Sequence, residues 1–211
     1  MKKSPRVSFL VLALGALAAL ITAGPVQAYD RAAPYDKADF VPPEGQALIV
    51  FIQNLKPDEK MTFTVFDPDK VCVAAVGGRE IDIVPTKPGP YTYYVTGFNK
   101  TRRIDIDLEA ERTYFIRLFT NERPMTRVPD VELVRRASNS YLQLKFWMEN
   151  AFVTHAKDDA CRGKPLKERA NRTQKRINEA NADWKSGDDA HRAHYTLYRR
   201  DGLVEKDLEW L

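Results

Sequence analysis

The chain has 211 residues, with 33 Lys and Arg against 29 Asp and Glu, a formal charge of +4, three histidines and two cysteines. Three of the bases and none of the acids fall in the first 28 residues, so without them the balance is 30 against 29, or +1. So even a balance says little for nucleic-acid binding, which needs a basic stripe, and no nucleic-acid partner is expected; the remaining 183 residues are enough for one core with a small appendage.

The chain opens "MKKSPRVSFLVLALGALAALITAGPVQA". Lys2, Lys3 and Arg6 precede an apolar run from Val7 to about Ala23, and Val26 and Ala28 occupy the small-residue positions of a cleavage site. Residues 1–28 therefore read as a secretory signal peptide. The other reading is an uncleaved anchor, since the run just reaches spanning length; Pro25 and Ala28 favour cleavage. No later run is long enough to span, so no transmembrane segment is expected after cleavage. The expected location is periplasmic or secreted, in a bacterial envelope. Residues 29–45, polar and proline-bearing, read as a tether; in it "YDRA" (Tyr29–Ala32) is echoed by "YDKA" (Tyr35–Ala38).

Residues 46–136 read as strands. "ALIVFIQ" is a continuous apolar run of buried-strand length. "MTFTVF" alternates, with Met61, Phe63 and Val65 on one face. "DPDK" is turn chemistry and returns into "VCVAAV", where Val71 and Val73 are assigned to the core and Cys72, Ala74 and Val76 to the opposite face. In "EIDIV", Ile81 and Ile83 share a face. After Pro85, Pro88, Gly89 and Pro90, the strand "YTYYVTGF" puts Tyr91, Tyr93 and Val95 on a core face and Tyr94 on a wetter one. "RIDIDLE" sends Ile104, Ile106 and Leu108 inward and Asp105, Asp107 and Glu109 outward. "RTYFIRLF" and "DVELVRR" complete the series. The pattern predicts a mainly β protein, an antiparallel seven- to eight-stranded β-sandwich.

Residues 137–211 read as a C-terminal α-helical extension. In "SNSYLQLKFWMENAF", Tyr141, Leu144, Met148 and Phe152 repeat at helical spacing, with Leu142 and Phe146 widening the stripe. A second helix is expected from about Pro165, with Leu166, Ala170, Thr173, Ile177 and Trp184 as a narrow seam on a charged rod. A lone polar helix is marginal in water. Leu166, Ile177 and Trp184 are therefore expected to dock on the strand region or to bind a partner. Gly187 ends that helix, Asp188 caps the next, and "DAHRAHYTLYRR" runs on to Gly202.

Between Val65 and Arg117 the order of features resembles an uncharacterised family of bacterial envelope β-sandwich domains, common in lipoproteins. The matching residues are Val65, Asp67, Pro88, Gly89, Tyr91, Leu108, Ala110, Arg112, Thr113, Tyr114, Phe115, Ile116 and Arg117. The resemblance covers roughly residues 47–136. This chain departs from the family in having no lipid-anchor cysteine, in Glu111 where glycine is common, and in its long charged tail. The resemblance implies fold and location, and no chemistry.

No catalytic signature is present: no G-x-S-x-G, S-x-x-K, H-E-x-x-H, phosphate-cradling loop or C-x-x-C. The expectation is a protein that is not an enzyme and needs no cofactor. His191 and His194, three apart on a helix with Asp188 one turn earlier, are the best candidates for a zinc or copper site, although three ligands fall short of a closed cage. Surface histidines on a charged helix are the other reading. Cys72 and Cys161, in an exported chain with no other cysteine, are expected to form a disulfide. These features together predict an exported, non-enzymatic envelope accessory or protein-interaction module with an envelope protein partner. The alternative is a periplasmic ligand-binding protein for a glycan, peptide or metal.

Overall fold

The computed structural model describes residues 35–54, 61–97, 100–123, 126–136, 138–153 and 170–211. Residues 1–28, read as a signal peptide, lie outside them. The fold is mainly β, with ten strands in two five-stranded sheets among the described residues. The first sheet has the order β8 (Thr126–Leu133), β7 (Thr113–Arg123), β1 (Ala47–Ile52), β4 (Glu80–Thr86) and β9 (Phe152–Val153). The second has the order β10 (Thr196–Leu197), β6 (Lys100–Leu108), β5 (Gly89–Gly97), β2 (Thr62–Phe66) and β3 (Cys72–Gly77).

The sheets are mixed, which corrects the antiparallel expectation. β1 runs parallel to β7, β4 parallel to β9 and β6 parallel to β10, while the other neighbours are antiparallel. β9 and β10 also carry the count past eight. At two residues each they are too short to show any period, and both come from the segment read as helical.

One apolar cluster is shared by the two sheets. Ala47, Ile49 and Phe51 of β1, with Tyr114, Ile116 and Leu118 of β7, meet Phe63, Val65, Tyr93, Val95, Ile104, Ile106 and Leu108 of the second sheet. Alternate residues of the first sheet serve a second cluster: Val50, Ile52, Ile81 and Phe115 pack with Leu144, Trp147 and Met148 of helix α1 (Asn139–Glu149). All six β1 side chains are therefore buried. A strand covered on both faces reads as an unbroken apolar run rather than an alternation, as "ALIVFI" does.

The parity assigned to "VCVAAV" is corrected. The β2–β3 register slips between Val65 and Phe66, so that Val65 faces Ala74 while Phe66 faces Cys72. A bulge of this kind breaks the two-residue period. Ala74 and Val76 join the shared cluster and Val73 packs partly against it. Cys72 is buried opposite Phe66, which belongs to a third cluster with Tyr94, Ile177 and Ala180. Tyr94 is accordingly not on a wet face: it is buried and stacked on Phe66 at 5.6 Å, beneath helix α2 (Ala170–Ser186).

The stretch from Tyr35, read as tether, is anchored. Asp36 caps a short 3-10 turn over Lys37–Phe40, Phe40 is fully buried in the second cluster, and its carbonyl accepts from Thr113 Oγ1 at 2.7 Å. The segment after residue 137 is also more than a helical extension. It supplies β9 and β10, sends Tyr195 and Leu197 into the shared cluster and Leu203 and Leu208 into the second, and bridges Thr113 to Leu203. Gly202 comes so close to Tyr114 that a Cβ there would sit 2.6 Å from the ring Cζ. The Tyr114 hydroxyl in turn donates to the Arg199 carbonyl and accepts from the Glu109 N–H. Residues 35 onward belong to one compact unit, Ala32–Leu211.

Candidate interaction surface and cleft

Helix α1 begins at Ser138, whose hydroxyl accepts from the Tyr141 N–H, and buries Ser140, Leu144, Trp147 and Met148. Arg117 of β7 lies over the Trp147 ring at 4.7 Å and donates to Asn54 and Glu132. The outward side is unusual. Leu142 is 76% and Phe146 61% exposed, the largest values among the exposed apolar side chains of the described residues. At a spacing of four they lie one above the other on the helix surface. Both were expected to widen the buried stripe. At 100° per residue, however, they stand roughly 160° around the helix from Leu144 and Met148, so the same arithmetic points them outward. Asn139 and Gln143, which flank them, are exposed and uncharged. Lys145 is held to the Trp210 carbonyl, and Tyr35 packs by the second cluster, close enough to Glu149 for that charge to add to burial in raising its pKa.

Helix α2 docks on the second sheet by different chemistry. Ile177 and Ala180 are buried against Phe66 and Tyr94. The Asn181 Oδ1 accepts from the Tyr94 hydroxyl at 3.0 Å and from Arg103 Nη1 at 3.1 Å. Arg103 lies over the Trp184 ring at 4.8 Å and forks onto Asp105. Arg102 Nη1 donates to Asp183 at 2.9 Å. The outward acids of β6 and of the residue after it are thus tied to arginines: Asp105 to Arg103, Asp107 to Arg199 and Glu109 to Arg112. Between α2 and the start of β6 lies a cleft of about 560 Å³, lined among others by Lys100, Arg102, Val128, Glu179, Ala180 and Asp183. Neither this cleft nor the Arg102 network was singled out from the sequence, because its members are separated by up to 93 positions and none stands in a motif.

Behind the cleft, the buried Tyr195 donates to Asp130 Oδ1 at 3.0 Å. Burial, reinforced by the Asp130 charge, pushes its pKa up to about 12 against the opposing pull of Arg102.

Of the residues expected to matter, Ile177 and Trp184 dock on the chain's own second sheet, Trp184 half-buried against the shared cluster; Leu166 lies outside the described residues. Asp188 caps helix α3 (Asp189–His194) by accepting from the His191 N–H at 2.8 Å. His191 Nε2 lies 3.8 Å from Asp183, and the His191 and His194 rings both meet Tyr195 edge-on, at 5.2 and 4.6 Å. Among the described residues no group of three or more His, Cys, Asp or Glu is placed to hold a metal. No described cysteine is free, and Cys161 lies outside the described residues. No described helix is long and apolar enough to cross a membrane. Compared with family models and curated proteins, the chain matches none.

Proposed function

We propose that the chain is an exported, non-enzymatic accessory module of the bacterial envelope, built on a β-sandwich, that docks a protein partner through the outward ridge of α1. The observation that carries this reading is the pair Leu142 and Phe146, exposed on a helix whose opposite side is fully engaged. A helix held that firmly presents its two apolar side chains at little further entropy cost on binding. With Asn139 and Gln143 on one flank and the exposed Lys145 and Glu149 on the other, the fitting partner offers an apolar pocket with a polar rim. The apolar cluster shared by two sheets supports the sandwich reading, and the leader supports export. Gly89 at φ +138° and Glu111 at φ +58° mark the two turns of the envelope-domain resemblance, the second being where that family favours glycine.

Replacing Leu142 and Phe146 together by serine should leave the thermal midpoint within a few degrees of wild type, since both are solvated. Capture of the partner from envelope extract should be lost, and capture by the wild type should persist in high salt. Capture that survives the double replacement contradicts the docking role; capture that is lost in salt contradicts the apolar pocket.

The same reading includes a Cys72–Cys161 disulfide. Cys72 is buried at the edge of the second sheet opposite Phe66, which packs against the helix that follows Cys161 by nine residues. Such a bridge would close a loop of about 90 residues, worth about 4–5 kcal/mol in the chain-entropy account. Non-reducing mass spectrometry should find no free thiol; two free thiols would exclude the bridge.

A further inference from the structure

Arg102 uses little of its hydrogen-bonding capacity. Its side chain is only 18% exposed, yet of the five guanidinium donors one, Nη1, is paired, to Asp183. Its Nε is shielded and makes no hydrogen bond. The nearest carboxylate oxygen to Nε, Asp130 Oδ1, is 3.9 Å away and already accepts from the Tyr195 hydroxyl and the Val131 N–H. Nε is closed to a ligand, between Asp130 and the Tyr195 ring that the guanidinium overlies at 5.6 Å, but Nη2 makes no hydrogen bond and is not shielded. Arg102 lines the cleft beside α2, and so does Lys100, whose exposed side chain makes no hydrogen bond or ion pair among the described residues. On the helix side, Glu179 pairs among the described residues with Lys175 alone, at 3.9 Å, and Asp183 is half exposed.

We propose that this cleft binds a free α-amino acid, with its carboxylate on Arg102 and Lys100 and its ammonium toward Glu179 and Asp183. Charge decides between the possible ligands. The two cations and two acids of the lining, with Lys175 beside Glu179 and Asp130 behind Arg102, sum to zero. A bare carboxylate would leave the site at −1. A bare amine would leave it at +1 and the Arg102 donors unanswered. A zwitterion adds no net charge and meets both needs, and Val128 and Ala180 give it an apolar wall. The cleft volume lies within the range of small-molecule sites, roughly 300–1,000 Å³.

The test is calorimetry and thermal shift on the full mature chain with L-alanine, the dipeptide Ala-Ala, N-acetylalanine (carboxylate only) and alaninamide (amine only). L-alanine should bind saturably and raise the midpoint, as any ligand of the native state does. Each half-ligand should bind at least about tenfold more weakly, the loss of one charge-assisted contact. Lys100→Ala and Glu179→Gln, both at exposed positions that the fold does not need, should each weaken L-alanine about tenfold. The proposal is overturned if nothing saturates up to roughly 10 mM, a limit that still detects millimolar affinity. It is equally overturned if N-acetylalanine matches L-alanine, if both variants bind unchanged, or if Ala-Ala binds more tightly than the free amino acid.

Discussion

The helices α1 and α2 each cover the outer face of one sheet, and they adhere by opposite means. α1 sends Leu144, Trp147 and Met148 into a large apolar cluster with β1, β4 and β7. α2 buries only Ile177 and Ala180 with Phe66 and Tyr94, and otherwise holds on through Asn181, Arg103–Trp184 and Arg102–Asp183. The difference lies in what each sheet offers. β1 is apolar on both faces, whereas the outer face of β6 carries Arg103, Asp105 and Asp107, to which a charged helix is suited. Apolar adhesion is indifferent to salt or strengthened by it, while partly exposed ion pairs are screened.

The largest effect is expected where the tail joins both halves. Ending the chain after Gly163 removes the buried Tyr195, Leu197, Leu203 and Leu208. At about 2 kcal/mol for each buried side chain, that loss is comparable to the whole stability of an ordinary domain. The truncated chain should give no cooperative unfolding transition by circular dichroism; a sharp one would show that the strands stand alone.

Next, Trp147→Ala should cost about 3–5 kcal/mol, the range for emptying a large aromatic site, with Arg117 losing its ring contact as well. Urea titration reads this as a lowered midpoint. The matching change on the other helix, Asn181→Ala, should cost only about 1–3 kcal/mol, since it leaves the Tyr94 hydroxyl and an Arg103 donor without their acceptor. An equal cost for the two substitutions would erase the contrast between the helices.

The alkaline limb tests the floor of the cleft. Tyr195 is held protonated up to about pH 12, against an ordinary value near 10. In that window the unfolded chain releases a proton that the folded chain keeps, so folding is weakened. The contribution is intact below pH 10 and falls as pH rises through the window, by up to about 3 kcal/mol. Tyr195→Phe should lessen the loss between pH 10 and 12, leaving the part due to Tyr35, Tyr93 and Tyr114, which burial also raises. An unchanged slope would mean that Tyr195 is open to solvent.

Glu111→Gly should be the smallest change. Glycine relieves the cost of φ +58° but gives up the bond from the Gly45 N–H to Glu111 Oε1 at 2.6 Å, and each effect is worth about 1 kcal/mol.

Much of the fold was legible in the sequence because period-two alternation decides which face a residue takes: Phe63, Val65, Ile104, Ile106 and Leu108 all enter the shared cluster as expected. Ala74 and Val76 enter the shared cluster instead of sharing the outer face with Cys72 because a bulge, which alternation does not announce, shifts the period by one position. Tyr94 was misread because its threonine neighbours look wet whether or not a helix covers them. Parallel pairing and the two-residue strands were illegible, since neither has a period of its own. The surface proposed for docking was the reverse case. Leu142 and Phe146 are apolar and helically spaced from each other, and only their angle to Leu144 and Met148 separates an outward ridge from a broad inner stripe.

Native-state hydrogen exchange at low and high salt tests the contrast between the helices most directly. Amides of α2 from Arg176 to Ser186 should exchange faster in 1 M than in 0.05 M salt, while those of α1 from Leu144 to Glu149 keep their protection or gain some. Equal behaviour of the two helices, or salt-sensitive exchange in α1 alone, would contradict that contrast.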